Sequence, residues 1–170
     1  MTIIYDPPMV KTIRQQIVDA IVGRLKLISK TNGYSQNYAT ISEWKLSALA
    51  SLDLPAILLI DESQDVTGYH ENSMTDFTLH LVISLFVKDN VSLNEQTGTK
   101  VYETPELLRN NIADVYKCLG ADVTCGGLAF DIQPQGDNMN LIQKNSVYGD
   151  IDLKFDVIYS TKSWDMYTQV

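Results

Sequence analysis

The feature that most constrains the fold is the strict alternation of apolar and polar residues between Asp76 and Lys88. Every second position carries a large apolar side chain: Phe77, Leu79, Leu81, Ile83, Leu85 and Val87. Because successive side chains of a β-strand point to opposite faces, this pattern predicts one long strand with one buried face. A second layer of structure must cover that face, since a sheet buries its apolar side against another element.

Several other segments predict strands beside this one. They are residues 34–44, 54–60, 123–132 and 147–159. The first is rich in aromatic and β-branched residues, the second is apolar throughout, and the last alternates as the central strand does. The third is interrupted by Gly126-Gly127, which suggests a bulge or a close approach. The polar segments between the strands predict loops at 61–75, 89–101 and 133–146.

Two segments predict amphipathic helices. From Met9 to about Lys30, apolar residues recur three or four positions apart, as they do along one face of a helix. The Asn-Gly pair at 32–33 then favours the left-handed conformation that ends helices. The second helix begins with Thr-Pro-Glu at 104–106, a cap residue, a first-turn proline and an acid, and it ends at Gly120.

The order of these elements predicts a single α+β domain spanning residues 1–170. Strands joined by turns favour a mainly antiparallel or mixed sheet of four to five strands, with the two helices packed on it. In this prediction residues 1–8 form a short N-terminal arm and residues 160–170 a C-terminal tail. A chain of this length can bury about 70% of its unfolded surface as one domain.

The net charge is −8, which argues against a nucleic-acid binder that works by neutralising phosphates. Cys118 and Cys125 are the only cysteines, and they predict free, buried thiols in a reduced compartment. The start of the chain does not resemble a secretion signal, and no apolar run approaches the roughly 20 residues that span a bilayer. We therefore expect a cytoplasmic protein without membrane contacts.

The sequence offers little chemistry for catalysis. His70 and His80, the only histidines, do not have metal-ligand spacing. The acids Asp61, Glu62 and Asp65 offer oxygens to a hard cation, but they lack the ligand spacing and the glycine of a calcium loop. They are expected to be solvated loop charges. We therefore expect no enzyme activity, no metal and no cofactor.

Aromatic residues predict an interaction surface instead. Tyr159, Trp164 and Tyr167 cluster near the C-terminus, and Tyr69 lies in the predicted 61–75 loop. Tyrosine and tryptophan are enriched at protein interfaces, so these four residues are candidates for a subunit or partner interface. The alternative is that some of them border the core.

The layout resembles the tail-terminator, or tail-completion, proteins of long-tailed bacteriophages. The resemblance lies in the order of five segments over nearly the whole chain: IRQQIVDAIVGRLKLI, NGYSQNYATISEW, LPAILLIDES, TDFTLHLVISLFV and GDIDLKFDVIYSTKSWDMY. It implies a small α/β virion protein, assembled in the bacterial cytoplasm, that forms a hexameric ring on the head-proximal end of the tail tube. Such a ring stops tube polymerisation and offers a joining surface to head-completion or connector proteins.

The resemblance also implies that genome DNA passes through the ring without specific binding. A lumen lined with carboxylates would repel phosphates, and Asp61, Glu62 and Asp65 are the candidates for that lining. Three alternatives remain at this point. They are a head-tail connector or neck protein, a monomeric module that binds a ligand between helix and sheet, and an enzyme whose site lacks a recognisable motif.

Overall fold

A computed structural model describes residues 10–43, 53–71, 73–88, 91–93, 100–102, 104–143 and 147–170. Its helices are α1 (Ile13–Leu25) and α2 (Thr104–Gly120), with a short 3-10 helix at Lys30–Asn32. Its strands are β1 (Thr40–Glu43), β2 (Ala56–His70), β3 (Met74–Lys88), β4 (Val91–Leu93), β5 (Lys100–Tyr102), β6 (Asp131–Gln143), β7 (Val147–Lys162) and β8 (Asp165–Gln169). The predicted α+β class, with two helices and one main sheet, is confirmed.

The main sheet is mixed and has the strand order β1-β2-β3-β7-β6, with β8 paired to the end of β7. Only β1 and β2 run parallel; every other described pair in this sheet is antiparallel. Two long hairpins, β2–β3 and β6–β7, are joined in the middle by the β3–β7 pair. The short strands β4 and β5 form a separate two-stranded sheet.

The core lies between the helices and one face of the sheet. The alternating apolar residues of β3 are buried on this face, as predicted, and so are the matching residues of β7: Ile151, Leu153, Phe155, Val157 and Tyr159. α1 contributes Ile13, Ile17, Val18, Ile21 and Leu25, and α2 contributes Leu108, Val115, Cys118 and Leu119. Each such buried side chain stabilises the fold by roughly 1.5–3 kcal/mol relative to exposure.

α1 is shorter than its apolar periodicity predicts. It begins after Thr12, whose side-chain oxygen accepts a hydrogen bond from the backbone N–H of Gln15 at 3.2 Å, and it ends at Leu25. The predicted Asn-Gly stop is used by the 3-10 helix instead, where Gly33 takes the left-handed conformation with φ of 81°. After Leu25 the backbone N–H groups of Leu27 and Ile28 donate to the carbonyls of Arg24 and Leu25, three residues back instead of four, so the α-helical pattern is not continued. Met9 lies outside the described residues.

Three predicted loops and strands were wrong. Residues 61–70 continue β2, and 133–143 belong to β6, because their backbones pair with β3 and β7. Residues 123–130 form turns instead of a strand. Cys125, Gly126 and Gly127 have positive φ angles of 52°, 73° and 92°, and three such residues in a row take the backbone out of the extended conformation of a strand.

The other boundary predictions differ in smaller ways. The strand expected at 34–44 covers only β1, and the segment before it is held to α2 by hydrogen bonds from Ser35 to Asp114 and from Gln36 to Asn111. Part of the expected 89–101 loop forms β4 and β5. The expected C-terminal tail is the end of β7 followed by β8. The expected arm at 1–8 lies outside the described residues, and among the described helices none is long and apolar enough to cross a membrane.

Candidate functional site

The sheet has an open face, the face opposite the two helices, and it presents carboxylates. The alternation of β3 and β7 sends their apolar residues to the helices and places Asp76, Asp152 and Asp156 on the open face. Asp65 of β2 joins them, because it lies opposite Thr78 of β3. We call Asp65, Asp76, Asp152 and Asp156 the carboxylate row.

Neighbouring strands hold each carboxylate in place. His80 lies between two of them, with its Nδ1 2.7 Å from Asp156 Oδ1 and its Nε2 3.1 Å from Asp65 Oδ2. The hydroxyl of Ser84 donates to Asp152 at 2.5 Å. Asp76 accepts a hydrogen bond from the Ser160 hydroxyl and contacts His70 at 3.2 Å. These contacts cross from strand to strand and hold the four carboxylates in fixed positions. Lys154, opposite Val82 on the same face, lies between Asp152 and Asp156 along β7, so the face carries more acids than cations but is not purely acidic.

His80 brings a titratable proton between Asp65 and Asp156. The hydrogen bond to Asp65, followed by that to Asp156, raises the pKa of His80 above its usual value. Protonated His80 therefore ties β2, β3 and β7 together. When it is neutral, one of its ring nitrogens faces a carboxylate without a proton to share.

The predicted acidic loop does not exist as one surface. Asp61 lies opposite Leu81 on the helix side of the sheet, where its carboxylate pairs with the Arg14 guanidinium at 2.7 Å. Glu62 is exposed at a β-bulge, and only Asp65 belongs to the carboxylate row. The bulge between Asp61 and Ser63 changes the phase of the alternation, which is why neighbouring acids face opposite sides.

Sequence reasoning missed the other members of the carboxylate row. Asp152 and Asp156 alternate with the apolar residues of β7, so the pattern already put them on the solvent side. The pattern did not predict the register of β3 and β7, which places Asp156 opposite His80 and Asp152 opposite Ser84. Register between distant strands depends on pairing that no local pattern encodes.

A second exposed feature is an aromatic corner formed by Tyr69 and Trp164. Their rings meet edge to face with centroids 6.3 Å apart, and Trp164 is 90% exposed while Tyr69 is 51% exposed. Ser163 fastens the corner, because its N–H donates to Ser73 O at 3.2 Å and its hydroxyl lies 3.2 Å from that of Thr75. The turn after β7 is thus tied to the turn between β2 and β3, and the aromatic rings have a rigid base.

Trp164 has a backbone conformation that tryptophan rarely adopts. Its φ of 65° lies in the left-handed region, where a side chain with a Cβ costs roughly 1–2 kcal/mol. An almost fully exposed tryptophan gains little from burial in return. The fold holds a large aromatic side chain outward at some cost to its own stability, which is typical of a binding residue.

The remaining predicted interface residues differ from one another. Tyr167 of β8 is exposed, as an interface residue should be. Tyr159 is fully buried: its ring stacks on Phe77 with centroids 5.3 Å apart, and its hydroxyl donates to Gln64 Oε1 at 2.8 Å. The prediction of Tyr159 as a surface contact was therefore wrong. Its position in the alternation of β7 places it toward the helices.

Charge is distributed unevenly between the two layers. Residues 10–43 and 104–120, which contain both helices, carry the acids Asp19, Glu43, Glu106 and Asp114 and the cations Lys11, Arg14, Arg24, Lys26, Lys30, Arg109 and Lys117. The segments of the long strands, 53–71, 73–88, 131–143 and 147–170, carry Lys88, Lys154 and Lys162 against many acids. Those acids are Asp53, Asp61, Glu62, Asp65, Glu71, Asp76, Asp131, Asp137, Asp150, Asp152, Asp156 and Asp165.

A cleft of about 230 Å³ lies between α1 and the turns that follow α2. Within it the Arg24 guanidinium contacts the Asp122 carboxylate at 2.8 Å, and Asp122 also accepts hydrogen bonds from Thr124 and Gly126. Burial raises the pKa of the nearby Cys125 thiol to about 11, which leaves it protonated and unreactive at neutral pH. The polar groups of the cleft thus bond to one another, and the cleft is smaller than most ligand pockets.

Metal-ligand chemistry is also sparse. In the part of the chain that the structure describes, no group of three or more His, Cys, Asp or Glu side chains has the arrangement of a metal site. Comparison with known proteins adds no candidate function, because no family model matches the chain and no curated protein is significantly similar to it. The carboxylate row and the aromatic corner are therefore the two candidate functional surfaces of the described residues.

Proposed function

We propose that this protein is a structural virion protein that forms a hexameric ring at the head-proximal end of a phage tail tube. The ring ends polymerisation of the tube protein and offers a joining surface to head-completion or connector proteins. The resemblance in the order of elements suggests this role. The α+β fold, with two helices on one face of a mainly antiparallel sheet, is the fold that the resemblance implies.

The observation that carries the proposal is the carboxylate row on a sheet face without helices. A ring through which DNA passes needs a lining that does not bind phosphate. Fixed carboxylates repel the DNA backbone, and the repulsion is strongest inside a narrow, low-dielectric channel. In our proposal the open face of each subunit, with Asp65 and His80 near its centre, lines the lumen.

The helical layer then faces away from the lumen, toward the outside of the ring or toward neighbouring subunits. Lys26 and Lys30, which are exposed after α1, suit contacts with acidic surfaces, including the strands of another copy. The aromatic corner lies at one end of the sheet, beyond the helix-covered core, where it is free to meet another chain. A lumen face and separate contact surfaces are the arrangement that a ring requires.

The first experiment is native mass spectrometry over a concentration series. The proposal predicts a discrete species of six subunits, followed by capping of tail tubes: added to polymerising tube protein, the ring should stop elongation and bind tube ends. Binding to portal or head particles instead of tube ends would indicate a connector. A protein that neither forms rings nor binds tube ends would overturn the proposal.

The lumen assignment has its own test in charge reversal. Asp65→Lys places a cation on the open face, and it should make the ring retain double-stranded DNA at low salt. Glu106→Lys, on the exposed side of α2, changes the net charge equally and should leave DNA binding at the wild-type level. If the two variants retained DNA equally, the open face would not line the lumen. Salt dependence separates electrostatic retention from specific binding.

A further inference from the structure

The aromatic corner has a mainly acidic surrounding. Glu71 is exposed in the turn two residues after Tyr69, and Asp165 follows Trp164 directly. Hydrogen bonds from the Thr168 hydroxyl and the Tyr167 N–H lower the pKa of Asp165, so this carboxylate stays ionised. Lys162 lies opposite Asp165 in the β7–β8 pair, and its charge also lowers the pKa of Asp165. An exposed tryptophan beside carboxylates suits an apolar contact that is flanked by cations, since cations also favour the face of an indole ring.

The same chain carries a surface of that kind directly after α1. Leu27 is 57% exposed, and Lys26 and Lys30 are exposed on either side of it in the sequence. The Asn32 side chain donates to Leu27 O at 2.7 Å, which fixes the turn. Lys117 of α2 adds a third cation near this turn, where its ammonium group donates to Gly33 O at 2.8 Å. We call Lys26, Leu27 and Lys30 the Leu27 patch.

We infer that the aromatic corner of one subunit binds the Leu27 patch of a second copy of this chain. Trp164 would pack on Leu27, while Glu71 and Asp165 meet Lys26 and Lys30. The two surfaces are complementary, because each has an exposed apolar centre and the acids Glu71 and Asp165 around one centre are opposite in charge to Lys26 and Lys30 around the other. The inference deepens the proposed function, on which it rests, by naming the contact that closes the ring.

The two surfaces belong to different parts of the fold. The aromatic corner joins the β2–β3 turn to the β7–β8 turn, whereas the Leu27 patch lies between α1 and β1. A contact between two unlike surfaces is heterologous, and it leaves one free copy of each surface on every dimer. Such contacts form a ring when the rotation between neighbours closes and an open filament when it does not, while a contact of one surface with itself stops at a dimer.

The test uses two variants, Trp164→Ala and Leu27→Asp, in the full chain, with circular dichroism to confirm that each is folded. We expect each variant alone to raise the dissociation constant of the assembly at least tenfold, so that rings disappear from the native mass spectrum. An equimolar mixture of the two should form dimers and no rings, because one intact corner and one intact patch remain. Arg109→Glu, at an exposed site elsewhere on α2, should assemble as the wild type does.

A charge exchange provides the second readout. Glu71→Lys and Lys30→Glu should each weaken assembly, and the chain carrying both changes should recover at least part of it. Wild-type rings that persist in both Trp164→Ala and Leu27→Asp would overturn the inference but leave the ring proposal intact. A wild-type chain that is monomeric at every concentration would also overturn it, and tube-end binding would then decide the proposed function separately.

Discussion

Tyr159 provides a direct test of the packing described here, because the sequence alone placed it at an interface. In the structure its hydroxyl makes one hydrogen bond, to Gln64 Oε1 at 2.8 Å. Tyr159→Phe removes that bond and leaves a partly exposed acceptor that water can reach. We expect a loss of about 0.5–1.5 kcal/mol in the free energy of unfolding, the usual net value of one hydrogen bond.

Truncation to alanine removes much more. Tyr159→Ala deletes a ring that is fully buried and stacked on Phe77, which leaves a cavity between the sheet and α1. Removal of a buried aromatic side chain costs about 3–5 kcal/mol, and stability of small domains is usually 5–15 kcal/mol. The variant should therefore fold but unfold at a much lower urea concentration.

The assay is urea unfolding followed by circular dichroism, with the m-value checked for constancy. Tyr167→Phe is the matched control: it removes a hydroxyl from an exposed tyrosine and should change the free energy of unfolding by less than about 0.5 kcal/mol. If Tyr159→Ala cost less than about 1 kcal/mol, the buried position of this side chain would be wrong. If Tyr159→Ala unfolded like the wild type but no longer assembled, Tyr159 would be an interface residue.

Three further predictions concern single groups. Because the pKa of His80 is raised on folding, protonated His80 should stabilise the protein fully below about pH 6.5, and this contribution should be lost as the pH rises through the folded pKa. The free energies of urea unfolding of the wild type and of His80→Gln should therefore converge at high pH. Cys118 and Cys125, whose pKa values burial raises, should react with a thiol reagent only on unfolding, and rapid native labelling would contradict this. Gly68→Ala should lower the free energy of unfolding by about 1–3 kcal/mol, since the new Cβ would lie 2.6 Å from the Asp76 carboxylate of β3. Gly23→Ala, whose Cβ would meet no atom within 4 Å, should leave that free energy unchanged or raise it by up to about 1 kcal/mol. Thermal or urea unfolding measures both.

The sequence predicted the parts of the fold that depend on local periodicity. The 76–88 alternation gave β3 and its buried face, and the Thr-Pro-Glu start and Gly120 end gave α2. Long strands with polar surfaces were harder to see. Residues 61–70 read as a loop because their side chains are polar, yet their backbone groups pair with β3. Backbone pairing leaves no trace in side-chain polarity when both faces of a strand meet solvent.

The candidate site was predictable only in part. The sequence singled out Tyr69, Trp164 and Tyr167 as interface candidates, and all three side chains are exposed. It did not predict the contact between Tyr69 and Trp164, because that contact joins residues far apart in the chain. The carboxylate row likewise depends on the register of β2, β3 and β7. The bulges in β2 reverse the side to which a residue points, so neighbouring acids such as Asp61 and Asp65 separate. Register and bulges are set by tertiary packing, which local pattern does not contain.

The arrangement of the sheet as two hairpins joined by one central pair also governs how the chain reaches its native state. The two strands of each hairpin are close together in the sequence, so they meet early and at little entropic cost. The β3–β7 pair, which sets Phe77 opposite Tyr159, must wait until the segment containing α2 has been brought across. We therefore expect the joining of the hairpins to limit the folding rate. Until it happens, each hairpin exposes one long apolar face, and this unjoined species is where aggregation would begin during expression.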